Sequence, residues 1–279
     1  MGKKCLKQTL LIGLFALFLL SSCEKNVVTN LTLNLTSTNF IIGQSDSIIA
    51  SVTASGDISK FPVNWTTSDT KVVSVVNGKI KGLSSGTAII TAKSGDITAT
   101  CEVTVNNEIA IVLDNGHLLY YGDAFESGVS NLFELAIAGP NDTLYFLINA
   151  PLIPTTQLAI GDYKVLTSID SLSDLIPFSI IPGELYNEIK YYSWYFGSVE
   201  SPLINGDLNV TSINKDNYNI ELNFKDGFGN TIYGSFQGTI YYHDESASLA
   251  SVPSAIKSNF NFQKPLILSP NLKVKKFPF

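Results

Sequence analysis

Short stretches in which apolar and polar residues alternate run through most of the chain and predict β-strands. In the clearest case, residues 218–224 and 232–242 place apolar or small residues at every second position, on either side of the Gly-rich segment 225–230. Alternation of this kind lines one face of a strand, and a Gly-rich break between two such runs predicts a β-hairpin. No useful length of the chain shows the 3.6-residue apolar period of a helix. We therefore predict an all-β protein.

Aromatic usage divides the chain near residues 106–108. All 12 tyrosines lie beyond this point, and residues 27–105 contain none. Both parts carry short Val-, Ile- and Thr-rich runs separated by Gly, Asn, Asp and Pro, which favours two β-cores rather than one. We predict a small β-domain over residues 29–105 and a larger antiparallel β-sandwich or barrel over residues 109–279.

The first 22 residues have the order of a signal peptide. Three lysines precede an apolar run over residues 10–20, and two serines then precede Cys23. The run is too short for a permanent transmembrane helix, which needs roughly 20 apolar residues.

Residues 20–23, Leu-Ser-Ser-Cys, resemble the lipobox of bacterial lipoproteins. The resemblance implies removal of residues 1–22, a thioether-linked diacylglycerol and an acylated amine (for example with palmitate) on Cys23, and a short tether over residues 23–28. Two or more acyl chains give stable membrane anchoring. Since Glu24 is not the aspartate that marks inner-membrane retention, we expect the outer membrane of a Gram-negative bacterium. The alternative is an ordinary secretory peptide that leaves Cys23 as a free thiol.

The charge of the chain excludes nucleic-acid binding, and its cysteine content excludes a disulfide. The chain has a formal charge of −6, which becomes −9 without the three lysines of the signal peptide, and all 18 of its basic residues are lysines. Nucleic-acid recognition rests on clustered Arg and Lys, so we set that function aside. After processing and lipidation Cys101 alone remains as a thiol. It alternates with apolar neighbours, and we predict a buried, inert side chain without a disulfide.

The first domain carries four motifs in a specific order: Val63-x-Trp65-Thr66-Thr67-Ser68-Asp69, Asn77-Gly78-Lys79-Ile80-Lys81-Gly82-Leu83, Gly86-Thr87-Ala88-Ile89-Ile90-Thr91-Ala92 and Cys101-x-Val103-x-Val105. Together they resemble the bacterial immunoglobulin-like domain, group 2, over residues 29–105. The resemblance implies an immunoglobulin-like β-sandwich that serves as a spacer or adhesion module and has no catalytic residues. Trp65 alternates with Val63, which favours packing in the core over ligand stacking.

The second domain is similar to the C-terminal β-domains of uncharacterised Gram-negative surface lipoproteins. The similarity rests on four features: Tyr120-Tyr121-Gly122-Asp123, Gly161-Asp162-Tyr163, Gly206-x-Leu208-x-Val210 and the hairpin described above. It implies that the whole region is one domain, and it implies no activity.

Catalytic signatures are missing from the sequence. It contains no Gly-x-Ser-x-Gly, His-Glu-x-x-His, Cys-x-x-Cys or Gly-x-Gly-x-x-Gly motif. His117 and His243 could form a general base or a zinc site only if the fold brought together residues 126 positions apart. Asp226 and Asn230 offer few oxygens for Ca²⁺. We expect no enzyme activity, no cofactor and no metal.

The aromatic run over residues 191–196 is the most suggestive surface feature. We predict a single strand over residues 188–196, and a strand alternates its faces, so it cannot bury five rings on one side. Rings with a polar tip stack on sugars or line ligand sites. The candidate ligand-binding residues are Tyr191, Tyr192, Trp194, Tyr195, Tyr120 and Tyr121. A sandwich packed on both faces, or aromatics that cover the adjoining domain, would explain the same pattern.

These observations favour a lipid-anchored cell-surface protein with a non-enzymatic binding or adhesion role. Its expected partners are the membrane, through the anchor, and a glycan, a small ligand or a surface protein. The alternative is a structural or assembly component of an outer-membrane complex whose aromatics form a protein interface. A glycan-active enzyme is the weakest alternative.

Overall fold

The structure is a computed structural model that describes residues 26–124, 127–153, 156–169, 172–214 and 216–247. Cys23 and the predicted signal peptide lie outside these residues. The described residues form 21 strands and two single-turn 3₁₀ helices, which confirms the prediction of an all-β protein. In this part of the chain no helix is both long and apolar enough to cross a membrane.

The chain divides into two compact units. The second contains the described residues from Thr104 onward and also residues 39–45 and 81–86. The predicted domain bounds, 29–105 and 109–279, remain predictions.

The first nine strands are β1 (Val27–Leu33), β2 (Ser37–Ile41), β3 (Ser45–Ser47), β4 (Ala50–Ser55), β5 (Asn64–Thr67), β6 (Val73–Val76), β7 (Lys79–Gly82), β8 (Gly86–Ser94) and β9 (Ile97–Asn106). They form a two-stranded sheet (β1-β4), a three-stranded sheet (β3-β7-β6) and a four-stranded sheet (β2-β9-β8-β5). Asn77 and Gly78 have positive φ angles of 51° and 81°, as expected for the predicted turn. Cys101 is a buried free thiol, which confirms its predicted burial, whereas Trp65 is only half-buried.

The remaining strands are β10 (Glu108–Leu113), β11 (Asn115–Gly122), β12 (Ser130–Ala138), β13 (Thr143–Pro151), β14 (Gly161–Val165), β15 (Ser179–Ile181), β16 (Glu184–Tyr186), β17 (Ile189–Tyr191), β18 (Trp194–Phe196), β19 (Glu200–Asn214), β20 (Asn217–Asp226) and β21 (Thr231–Asp244). Eight of them form a barrel-like sheet with the closed order β11-β12-β13-β15-β14-β19-β20-β21, in which β21 pairs back to β11. Large apolar side chains such as Phe133, Phe146, Phe224 and Phe236 are fully buried in its core, so the interior is packed.

Not all pairs in this sheet are antiparallel. β14 runs parallel to β15, and β11 runs parallel to β21. In a closed ring the number of direction reversals must be even, so one parallel pair among eight requires a second. β10 also pairs in parallel with β21 at the edge of the sheet.

The predicted hairpin over residues 218–242 is confirmed by the antiparallel pairing of β20 and β21. Gly234 lies where β10 passes close to this hairpin. A Cβ atom at Gly234 would lie 2.4 Å from the carbonyl oxygen of Ile111. Glycine therefore permits the close approach of the neighbouring strand.

The prediction of one strand over residues 188–196 is wrong. β17 pairs with β16 in a small two-stranded sheet, while β18 belongs to the large sheet. Tyr192 separates them with a φ of 66°, which interrupts the extended backbone. The hydroxyl of Ser193 donates to the carbonyl oxygen of Ile181 at 2.6 Å and accepts from the backbone N–H of Leu147 at 3.1 Å, and so fixes the break.

Candidate functional site

The six aromatic residues predicted to bind a ligand do not form one surface. Tyr195 belongs to the core inside the barrel-like sheet, and Tyr120 packs against that core. Tyr121 belongs to a second apolar cluster, against which Tyr192 packs. Tyr120 and Tyr121 are neighbours on β11, so their side chains lie on opposite faces of the sheet. The same alternation on β21 separates Tyr241 from Tyr242.

Tyr120 and Tyr242 meet where β11 and β21 end. Their ring centroids are 6.4 Å apart, and Phe133 packs on Tyr120 with centroids 5.1 Å apart. Both tyrosines are half-buried. Burial, followed by the nearby carboxylate of Asp244, raises the pKa of both hydroxyls. The phenol tips therefore stay protonated and able to donate hydrogen bonds, beside a carboxylate that can accept them.

Asp123 adds a second carboxylate near Tyr120, where its charge also raises the pKa of the phenol. It is held in place by its loop: the backbone N–H of Ser127 donates to Oδ1 at 2.8 Å, and that of Gly128 donates to Oδ2 at 2.6 Å. Two rings with polar tips and two carboxylates thus lie at one end of the barrel-like sheet. This group, Tyr120, Tyr242, Asp123 and Asp244, is called the tyrosine end below.

Tyr121 is buried on the other face. Its hydroxyl donates to Oε2 of Glu134 at 3.3 Å. Burial and the negative charge of Glu134 raise the pKa of the phenol. Tyr121 packs within the outer apolar cluster with Leu119 and Leu132.

Trp194 is covered, with only 2% of its surface exposed. Its indole Nε1 donates to the carbonyl oxygen of Tyr191 at 2.7 Å. The Lys190 ammonium lies 5.6 Å from the centroid of the indole and 5.1 Å from that of the Phe196 ring, and Lys190 also forms an ion pair with Glu200. The Lys190 ammonium therefore already lies over the indole ring.

Tyr195 is fully buried. Its hydroxyl donates to Oδ1 of Asp142 at 2.6 Å and accepts from the backbone N–H of Ser198 at 3.2 Å. Burial and the bond to Asp142 raise its pKa to about 12. Tyr191 and Tyr192 remain half-buried, with ring centroids 6.1 Å apart. The ligand-binding role of these residues remains a prediction.

The fold brings His117 and His243 together, which is the condition for a two-histidine site. Nδ1 of His117 and Nε2 of His243 are 3.1 Å apart, although the residues are 126 positions apart in sequence. The rings are stacked with centroids 5.4 Å apart, and the Tyr241 ring lies 5.5 Å from that of His117. Burial, and the second imidazole, lower the pKa of His117. No sequence motif predicts this pair of histidines, because it is the parallel pairing of β11 with β21 that brings the two residues together.

Asp226 and Asn230 form a buried hydrogen-bonded group in the β20–β21 loop. Oδ1 of Asp226 accepts from the backbone N–H groups of Phe228 and Asn230, at 2.9 and 2.8 Å. Oδ2 accepts from Oγ of Ser201 and Nδ2 of Asn230, at 2.7 and 2.9 Å. Both carboxylate oxygens therefore hold the loop. Across the described ranges, no three His, Cys, Asp or Glu side chains form a group that could hold a metal ion.

Fold and candidate sites together define an all-β protein built around an eight-strand barrel-like sheet. No protein-family model matches the chain, and no curated protein matches it.

Several solved structures are similar in part. Domains 4 and 5 of the S-layer protein SbsC match at 22% identity and a TM-score of 0.26, over 29% of this chain and 53% of theirs. Domains 5–6 of SbsC match at 15% identity and a TM-score of 0.27, over 78% and 99%. A Bacteroides ovatus protein of a mixed-linkage glucan utilization locus, SGBP-B, solved with a mixed-linkage heptasaccharide, matches at 10% identity and a TM-score of 0.19, over 79% and 71%. At TM-scores this low, these similarities do not indicate the function of this chain.

Proposed function

We propose that this protein is a lipid-anchored cell-surface protein that binds a glycan, or a small ligand rich in hydroxyl groups, without converting it chemically. The anchor is Cys23, and the immunoglobulin-like domain acts as a spacer between the membrane and the larger domain. The binding site is the tyrosine end, Tyr120 and Tyr242 with Asp123 and Asp244. The membrane is the outer membrane of a Gram-negative bacterium.

A single observation supports this choice of site: two half-buried phenol rings meet at the end of the barrel-like sheet beside two carboxylates. Aromatic faces stack on the apolar faces of sugar rings, and carboxylates accept hydrogen bonds from hydroxyl groups. Trp194 and Tyr195 are less suitable, because covered rings cannot stack on a ligand without rearrangement of the sheet.

The test is a glycan array probed with the purified protein and three single variants. We expect the protein to bind a defined glycan class, and we expect Tyr120→Ala and Tyr242→Ala each to weaken binding at least tenfold. Tyr233→Ala is the matched control, since Tyr233 is an exposed tyrosine on the same strand as Tyr242 and should bind like the parent protein.

Two outcomes would contradict the proposal. One is the absence of binding across a broad array of glycans, and the other is unchanged binding by both Tyr120→Ala and Tyr242→Ala. Turnover of a polysaccharide by the purified protein would replace the non-enzymatic assignment with an enzymatic one.

A second candidate is a structural role in an envelope complex, favoured by the β16–β17 hairpin. Ile189 exposes 46% of its surface on the same face of this hairpin as the half-buried Tyr191, and Leu185 exposes 58% on the opposite face. Apolar groups that lie together on an exposed surface mark sites of contact with other proteins. On this hypothesis a stoichiometric partner co-purifies from detergent-solubilised membranes, and Leu185→Glu releases it. A partner retained by Leu185→Glu would place the contact elsewhere.

A further inference from the structure

The chain contains two histidines, and the fold places them side by side. His117 lies on β11 and His243 on β21, where the parallel register pairs His117 with Tyr241 and Leu119 with His243. Side chains two positions apart on neighbouring strands share a face of the sheet, so both imidazoles lie on the outer face, opposite Tyr120 and Tyr242. The pair is therefore separate from the tyrosine end.

The distance between the two imidazoles suits a shared metal ion. Metal–nitrogen bonds to histidine are about 2.0–2.1 Å long. Two nitrogens bound to one ion at angles between 90° and the tetrahedral value are therefore roughly 2.8–3.4 Å apart. The observed separation of Nδ1 of His117 and Nε2 of His243 is 3.1 Å.

We propose that His117 and His243 bind one divalent first-row transition-metal ion between them, with water completing its coordination. Imidazole nitrogens suit copper, nickel and zinc, and copper binds such donors most tightly. Calcium and magnesium prefer oxygen ligands and should not bind here.

The two histidines differ in how freely their side chains can rotate. His117 is half-buried, and the adjacent Tyr241 ring packs beside its imidazole, which limits its rotation. His243 is exposed at the end of β21, so its side chain can rotate until both lone pairs converge on the ion. The structure thus provides one fixed ligand and one adaptable ligand, and the site stays open to water.

Titration calorimetry of the purified untagged protein with Cu²⁺, Ni²⁺ and Ca²⁺ tests the proposal. We expect one Cu²⁺ per chain, weaker Ni²⁺ binding and no Ca²⁺ binding. His117→Gln and His243→Gln should each lower the Cu²⁺ affinity at least tenfold, because glutamine keeps a polar side chain but lacks the imidazole. Tyr233→Phe is the matched control, since Tyr233 is an exposed tyrosine on the same strand as His243 but away from both imidazoles, and it should bind Cu²⁺ like the parent protein.

A second measurement on the unaltered protein keeps the test independent of how the variants fold. Substoichiometric Cu²⁺ should broaden the imidazole proton resonances of both histidines together. The proposal is overturned if neither Cu²⁺ nor Ni²⁺ binds, if the two resonances respond separately, or if folded His117→Gln and His243→Gln bind Cu²⁺ as tightly as the parent. In those cases the pair is a hydrogen-bonded contact between β11 and β21.

Discussion

The indole nitrogen of Trp194 donates a hydrogen bond to the carbonyl oxygen of Tyr191 at 2.7 Å, across the break between β17 and β18. This bond satisfies the only polar group of the side chain while the indole packs on the sheet. Covered in addition by the Lys190 ammonium, Trp194 links the small β16–β17 sheet to the large one. An aromatic side chain that the sequence suggested as a ligand platform thus has a packing role.

Replacement of Trp194 by alanine should lower the free energy of unfolding by about 3–5 kcal/mol, the usual cost of removing a large buried aromatic side chain. Urea denaturation checks this value. Tyr233→Ala, at an exposed tyrosine, should cost less than about 1 kcal/mol. A loss of similar size in both variants would contradict the burial of Trp194.

High pH should destabilise the protein through Tyr195. Its pKa is raised from an ordinary 10.0 to about 12 by burial and the bond to Asp142. The folded state therefore holds this proton more tightly than the unfolded state, so the stabilisation is complete below pH 10 and is lost as the pH rises towards 12. We expect the free energy of unfolding, measured in urea, to fall in that window.

Tyr195→Phe provides the control for this pH dependence. Phenylalanine cannot ionise, so the fall above pH 10 should become smaller, although burial also raises the pKa of Tyr163 and Tyr121 and some fall should persist. At neutral pH the variant should lose about 1 kcal/mol with the hydroxyl's hydrogen bonds. If the free energy of unfolding fell by the same amount above pH 10 in the variant, Tyr195 would not be a source of the alkaline destabilisation.

Asp226→Ala should be among the most destabilising single changes in the second unit. Four donors, from Ser201, Phe228 and Asn230, bond to its buried carboxylate. Without it they lose their acceptor, and we expect a loss of about 3 kcal/mol or more in the free energy of unfolding. Asp207→Ala, at an exposed carboxylate on β19, should change stability by less than about 0.5 kcal/mol. Thermal and urea denaturation of both variants check this.

Lipidation at Cys23 predicts the mass of the mature chain and its association with the membrane. Mass spectrometry of protein purified from native membranes should show a chain that begins at Cys23 and carries acyl groups. Cys23→Ser should move the protein from the detergent phase to the aqueous phase, because the acyl chains supply the membrane affinity. An unmodified Cys23 in membrane-derived protein would remove the anchor from the proposed function.

The sequence by itself determined the all-β class and the β20–β21 hairpin, because apolar alternation and glycine placement act between neighbouring residues. It could not predict which strands pair across the ring. The tertiary structure alone decided that His117 meets His243, that Tyr120 joins Tyr242 while Tyr121 faces the other way, and that Trp194 is covered. Each of these depends on strand order and register, and those follow from the packing of one closed core whose contacts join residues more than a hundred positions apart.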